Sequence, residues 1–417
     1  MSAVWSRSIR TVDPALVVIL GGVSAALHVG KLSPALPVLR EALGVSLLQA
    51  GFLLSLVQLA GMTLGLAVGL AADGLGLKRS MLGGLLVLFA ASLLGGWAQD
   101  APSLLLLRAV EGFGFLLVSM PAPSLIRHLV APHRMSAMLG LWGAYMPLGT
   151  ASALLFGPLV IALASWQVWW WGLAALTLLM ALWLWQVVPP DQVRMPGHSA
   201  PDMKAGTAAQ ANAWPQRLRQ TLVAPGPWLV ALSFAVYSGQ WLAVIGFLPT
   251  IYAQAGVAAG VTAVLTALVA AVNMVGNIVS GRLLTRGVRP QTLLYIGFCA
   301  MGLGTLLAFV TFPLAPGASG LPPIFRFMAV LLFSMLGGMI PGTLFSLAVR
   351  LAPNERTVST TVGWMQQWSS LGQFAGPPLV AWVAASVGGW HWTWGVTGAC
   401  SLTGLLLARQ LGARSQR

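Results

Sequence analysis

Seven stretches of this chain contain no Asp, Glu, Lys or Arg: residues 42–72, 80–99, 135–190, 220–281, 290–325, 327–349 and 357–408. An α-helix needs about 20 mostly apolar residues to cross roughly 30 Å of hydrocarbon. The runs 135–190, 220–281 and 357–408 are too long for one span, so each predicts two. Only 7% of the 417 residues are charged and 57% are hydrophobic, whereas soluble domains carry about 25% charged residues. A soluble enzyme, a disulfide scaffold and a disordered chain are excluded. The pattern is that of an all-α polytopic membrane protein.

Charge positions, Gly/Pro breaks and length predict helices near 14–36, 46–72, 80–98, 102–130, 135–163 and 168–188, then near 227–252, 257–285, 290–312, 323–351, 356–385 and 390–409. Twelve spans put both termini on one side of the membrane. With the termini inside, 18 of the 22 Lys and Arg fall on inner segments, among them Lys78, Arg79, Arg282, Arg286 and Arg356. Cytoplasmic loops concentrate Lys and Arg in this way, so the pattern predicts a multi-pass protein of the inner membrane with cytoplasmic termini. The net charge of +14 is largely this asymmetry, and nucleic acid drops out as a partner. Arg7 and Arg10 precede the first apolar stretch as in a signal peptide. That stretch runs past the length of a signal core and ends at His28 and Lys31 without a small-residue cleavage site, so it reads as a retained helix. Cys299 and Cys400 lie inside apolar runs and imply no disulfide framework.

Residues 189–226 form the one long polar stretch, with Pro189, Pro190, Pro196 and Pro201. It predicts a cytoplasmic linker between an N-terminal half, 1–188, and a C-terminal half, 227–417. The halves resemble each other. Ala131-Pro132-His133-Arg134 precedes the fifth span and Ala352-Pro353-Asn354-Glu355-Arg356 the eleventh, and a tryptophan, Trp142 or Trp364, follows each arginine by eight residues. Gly157-Pro158 matches Gly376-Pro377, and the sixth and twelfth spans both open on tryptophan clusters. A same-direction repeat of six helices characterises one large class of membrane transporters.

The loop after the second span runs from Gly69 through Asp73, Gly74, Gly76 and Leu77 to Lys78 and Arg79, and resembles the G-x-x-x-D-R-x-G-R-R/K signature of the major facilitator superfamily. It departs from the signature at Gly74 and Leu77, where that family has basic residues. The second-half counterpart carries Gly281, Arg282 and Arg286, and the fourth span carries Arg108, Glu111, Gly112 and Gly114, similar to the family's R-x-x-x-G-x-G element. Gly30 through Arg40 resembles the first-helix exit of the cyanate and nitroimidazole permeases. The resemblance implies that fold, alternating access, and a cavity lined by spans 1, 4, 7 and 10. It also implies a conformational gate at Gly69, Asp73, Gly76, Lys78, Arg79, Arg282 and Arg356, in which Asp73 meets the N-terminus of the eleventh span near Arg356; anions are favoured at helix N-termini.

Charges inside the spans are the candidate functional residues. A charge at mid-bilayer costs about 2.5–3.5 kcal/mol on insertion scales. Arg108 and Glu111 are three apart and can pair on one helix face, either as a proton-coupling or anion-binding pair or as a structural brace. His28 can carry a proton near neutral pH or serve as a hydrogen-bonded interior group. Lys31 and Arg326 sit toward the outer side, where they either snorkel to the interface or face a vestibule. Gln240, Trp241 and Asn273 are uncharged ligand-contact candidates, with helix–helix hydrogen bonding as the alternative. Tyr237, Gln58, Gln366, Gln367 and Trp368 sit at comparable depth. Trp97, Trp166, Trp169, Trp382, Trp390 and Trp392 at one set of helix ends, and Trp183, Trp185 and Trp228 at the other, predict aromatic belts.

There is no phosphate-binding loop and no metal-ligand spacing, so no cofactor or catalytic constellation is expected. These features predict a non-enzymatic, monomeric secondary transporter of a small anionic solute, coupled to protons through Glu111 or His28. The alternative is a proton-coupled multidrug or nitroimidazole-type exporter.

Overall fold

The computed structural model describes residues 12–191, 214–311, 313–315 and 318–415. The expected linker segment 192–213 and the surroundings of Gly69, Asp73 and Arg356 lie outside the described residues. Ten helices among those described are long and apolar enough to cross a membrane. They are α1 (Pro14–Ala42), α2 (Leu47–Ala67, continuing as helix to Leu75), α3 (Leu77–Gly95), α4 (Ala101–Leu129), α5 (Met138–Leu163), α6 (Trp166–Val187), α7 (Pro225–Gln254), α8 (Ala259–Thr285), α9 (Pro290–Phe309) and α10 (Pro323–Arg350). Two further long helices, α11 (Val358–Val387) and α12 (Thr393–Ser415), complete the bundle. Many hydroxyls and amides line α11 (Thr360, Thr361, Gln366, Gln367, Ser369, Ser370 and Gln373).

Local chemistry sets the helix starts. Asp13 accepts from the Ala15 N–H at 3.0 Å with Pro14 opening α1, and Asp100 accepts from the Ser103 N–H at 2.7 Å at the start of α4. At α2, Ser46 Oγ accepts from the Gln49 N–H while Gln49 Oε1 accepts from the Ser46 N–H. That reciprocal box satisfies two of the N–H groups every helix start leaves over. Gly76 turns the chain between α2 and α3 at φ +90°, a conformation open to glycine at little steric cost.

Several expected boundaries differ, among them that of α12, which runs to Ser415 rather than near residue 409. Sequence reading ends the first helix near residue 36, at its prolines; the structure carries it to Ala42 across an irregularity at Lys31. Part of the expected linker is also helical, Trp214–Val223. The loop before α10 adds a small antiparallel pair, Pro313–Ala315 with Ala318–Ser319.

Glycines bring helices into near-contact. A Cβ on Gly84 of α3 would lie 2.6 Å from the Gly114 carbonyl oxygen of α4, and one on Gly112 would lie 2.6 Å from the Val57 carbonyl oxygen of α2. These close approaches account for the glycines of the fourth-span motif. Three apolar clusters result. One lies within the first six helices (Val18, Met81, Leu85, Phe115, Leu184) and one is centred on the last six (Phe234, Phe298, Phe333, Ile340, Leu344) with Ala151 and Leu154 of α5. The third joins Leu32, Leu36, Leu53 and Leu54 to Phe247, Val380 and Ala381 across the two sets, at the face opposite the chain termini.

There the Leu32–Ala42 part of α1 packs on α7, while α2 packs on α11 through both Leu47–Ser55 and Leu59–Leu75, and α5 packs on α8. Among the described residues, the arms Ala122–Leu129 of α4 and Met339–Arg350 of α10 form no packed pair at the other face.

Candidate functional site

The site begins with a defect in α1. Pro34 and Pro37 follow Lys31 closely, and proline cannot donate to the carbonyl four residues earlier. In lipid, backbone groups left over by a proline must find partners within the protein. Side chains of other helices supply donors around the irregularity. Arg108 of α4 donates from Nη1 to the His28 carbonyl oxygen and from Nη2 to that of Val29 at 3.1 Å, and Trp169 of α6 donates to that of Lys31 at 3.2 Å. Arg108 Nε reaches a third helix, donating to the Leu53 carbonyl oxygen of α2 at 3.0 Å. Four of its donor bonds are thereby used, one of them to Glu111 Oε2 at 2.7 Å.

Glu111 is the centre of a buried ion cluster. Lys31 Nζ donates to Glu111 Oε1, to Ser92 Oγ at 2.9 Å, and lies 4.6 Å from the centroid of the Trp170 ring. His28 places Nδ1 3.7 Å from Glu111 Oε1 and 3.5 Å from Lys31 Nζ, with Nε2 2.8 Å from Thr177 Oγ1. Nδ1 thus faces both Lys31 and Glu111, and Nε2 faces Thr177. Thr177 in turn meets Ser24 at 3.2 Å. His28, Lys31, Arg108 and Glu111 are each 0–2% exposed. Two cations face one carboxylate, and the His28 imidazole completes the group.

This differs from the sequence expectation in one respect. Lys31 was expected toward the outer side, snorkelling or facing a vestibule; the structure turns it inward to Glu111. Burying its charge demands an anion, and the anion within reach is Glu111. Arg326 does not join the cluster. It lies half-buried at the start of α10 against Gly320. The expected Arg108–Glu111 pair is present.

The uncharged candidates sit together within the last six helices. Trp241 Nε1 donates to Ser334 Oγ at 3.1 Å, and Asn273 Nδ2 donates to Tyr237 Oη at 3.1 Å and to the Ser334 carbonyl oxygen at 2.9 Å. These bonds join α7, α8 and α10 at the point where α10 breaks around Gly338. Gln240 points elsewhere, its Oε1 accepting from Ser401 of α12 at 3.1 Å.

Of the expected gate, Lys78 and Gly76 are placed against α6. Lys78 Nζ donates to the Trp185 carbonyl oxygen at 2.8 Å and to that of Val188, while Asp191 Oδ1 accepts from the Lys78 N–H at 3.0 Å and Oδ2 from the Arg79 N–H at 3.3 Å. The two helix ends exchange caps. The side chains of Arg79 and Arg282 are exposed.

Trp97, Trp185, Trp382 and Trp392 are 50–63% exposed, as a belt requires, but Trp166 and Trp169 are buried. Sequence reasoning missed Ser92, Thr177 and Trp170, because one hydroxyl or indole on an apolar helix gives no signal of its own. It also missed Gln373. Gln58 Nε2 donates to Gln373 Oε1 at 3.1 Å, Ser370 Oγ donates to Gln58 Oε1 at 3.3 Å, and Gln367 Nε2 donates to the Met62 carbonyl oxygen at 2.8 Å. These bonds cross between the first and last six helices.

Comparison with known proteins agrees with this architecture. The chain is 34% identical over 135 residues to the human solute carrier family 2 facilitated glucose transporter member 10, a match covering 32% of this chain and 25% of that protein. It is 25% identical over 254 residues to the cyanate transport protein CynX of Escherichia coli, covering 58% of this chain and 59% of that one. The chain thus spans about a quarter of the glucose transporter's length and about three-fifths of CynX's. A solved bacterial homologue of the human lysosomal transporter Spinster, in an inward-facing and unoccupied conformation, superposes with a TM-score of 0.74 at 16% identity, over 98% of this chain and 96% of that one. The family model described as Major Facilitator Superfamily matches residues 18–367. With that match, its spans and its fold, the chain belongs to the Major Facilitator Superfamily.

Proposed function

We propose that this protein is a secondary active transporter that moves a small anionic solute across the inner membrane by alternating access, coupled to protons through the His28–Lys31–Glu111 group. The observation that carries the anionic reading is the charge count of the buried cluster. Lys31 and Arg108 oppose Glu111 alone, which leaves one uncompensated positive charge inside the first six helices. In a medium of low dielectric that field reaches further than in water, so it favours an anion over a cation passing near the cluster. The proton reading is supported by a carboxylate and an imidazole 3.7 Å apart beside a lysine. A proton on any member changes the charge balance that holds α1 to α4.

The positive-inside pattern of the sequence supports placing the face of the termini in the cytoplasm. Opening the opposite face requires separating the apolar contacts of Leu36, Leu53 and Leu54 with Phe247 and Val380.

The test is uptake of a panel of small anions, cyanate and nitrate among them, into proteoliposomes with and without an inward pH gradient. Accumulation of an anion that depends on the gradient supports the reading. In Glu111→Gln, accumulation should fall to the level set by the solute gradient while counterflow persists. Transport confined to neutral or cationic compounds would overturn the anionic reading and favour an exporter.

A further inference from the structure

Gln58 sits where α2 changes its winding. Residues Leu56–Gln58 form a tightened turn, with the Leu59 N–H bonded to the Leu56 carbonyl oxygen three residues back, between two α-helical stretches. Such a short tightened segment inside a long helix often marks a hinge or a strained stretch. Two contacts hold this joint from the side of the ion cluster. Arg108 Nε donates to the Leu53 carbonyl oxygen at 3.0 Å, and the Val57 carbonyl presses on Gly112, the residue after Glu111. On its other side the joint ends in Gln58, 2% exposed, whose amide takes one bond from Ser370 and gives one to Gln373 of α11. Gln373 continues to Ser369 at 3.3 Å, and the Ser369 carbonyl accepts from Ser238 of α7 at 2.9 Å.

We infer that Gln58 is a positioning residue that transmits the state of the Glu111 cluster to α11, the tightened turn at 56–58 being the element that changes. Arg108 has bonds in both directions, to Glu111 and to the joint, so it cannot shift relative to one without moving against the other. A proton arriving at the cluster weakens the hold of Glu111 on Arg108 and Lys31. Arg108 then changes its grip on Leu53, and Gln58 moves relative to Ser370 and Gln373. The titratable and charged groups facing Glu111 are His28 and Lys31 from α1 and Arg108 from α4; Ser92 and Thr177 complete its surroundings from α3 and α6. Gln58 itself carries no charge, so its effect on a proton response must run through the backbone. This inference rests on the proton-coupled reading above.

The experiment uses protons as its only probe. Spin labels at the exposed positions Leu141→Cys on α5 and Val349→Cys on α10, with Cys299 and Cys400 replaced by serine, report the opening at the face of the termini in lipid nanodiscs at pH 5.5 and 8. Wild type should change its ratio of open to closed populations by at least about fivefold between the two, the lower end of ordinary coupling between sites. Gln58→Leu and Gln373→Leu, on opposite sides of one bond, should each reduce that change to less than about twofold, and the double variant should add nothing further. Ser370→Ala, which deletes a single hydroxyl, should give an intermediate response in a fully folded protein. A wild-type pH response in Gln58→Leu, Gln373→Leu or Ser370→Ala overturns the role of Gln58 and leaves proton coupling standing. Absence of any pH response in wild type removes the proton-coupled reading, and this inference with it.

Discussion

The charge count of the buried cluster orders the stabilities of its variants. Wild type holds Lys31 and Arg108 against Glu111, a balance of +1 with His28 neutral. Glu111→Gln raises that balance to +2, with both cations fully buried and no anion near. Removing one partner of a buried pair costs about 3–5 kcal/mol, because the remaining charge is left uncompensated. Here one deletion orphans two cations, so the upper end applies. Lys31→Met lowers the balance to zero and leaves the Arg108–Glu111 pair at 2.7 Å intact. Its losses are the ion pair with Glu111 Oε1, the Ser92 hydrogen bond and the contact over Trp170, offset by removal of the lysine's own desolvation cost and softened because Glu111 keeps Arg108. The double variant Lys31→Met/Glu111→Gln returns the balance to +1 with Arg108 alone, and should be more stable than Glu111→Gln by itself. Thermal unfolding of detergent-purified protein, followed by intrinsic tryptophan fluorescence, gives the order directly: wild type, then Lys31→Met, then the double variant, then Glu111→Gln. If Lys31→Met melts below Glu111→Gln, Lys31 is not balanced by Glu111 as the geometry states, and the electrostatic account of the site fails.

Three further outcomes follow from the same structure. Gly112→Ala places a Cβ 2.6 Å from the Val57 carbonyl oxygen, and overpacking of this kind costs about 1–3 kcal/mol; a melting temperature equal to wild type would show that α2 and α4 are not in close approach there. Lys78→Met removes the donor that caps the Trp185 and Val188 carbonyls, and should lower thermal stability while leaving the ratio of gradient-driven uptake to counterflow unchanged. At the start of α4, the Ser103 backbone N–H, with its hydroxyl, holds the exposed Asp100 carboxyl below the usual aspartate range. A depressed folded value means the cap is present at neutral pH and is lost only as pH falls through that lower value. Asp100→Ala should therefore speed amide exchange at Ser103 and Leu104 at pH 7, a difference that vanishes at strongly acid pH.

The sequence by itself determined the membrane class and the spans. The length of apolar helix needed to cross a bilayer is a one-dimensional quantity, and a charge-free run states it without reference to any neighbour. The Arg108–Glu111 pair was legible for the same reason, since three residues along a helix fix both angle and rise. Helix caps such as Asp13, Ser46 and Asp100 are also local in origin, but they were identified in the structure and not in the sequence.

What only the tertiary structure decided was the rotation of each helix about its own axis. Lys31 and Glu111 are 80 positions apart, and nothing along the chain says that the lysine turns inward to the carboxylate rather than outward to the interface. That choice is made by glycine-lined approaches between helices and by Arg108 and Trp169, which take the carbonyls around the α1 irregularity. Gln373 was invisible for a related reason: an amide on a polar helix acquires a role only when Gln58 is brought against it from the other half. In a bilayer the apolar surroundings reward almost any rotation of an apolar helix, so the few polar contacts and close-packed glycines select among them, and those are pairings in three dimensions.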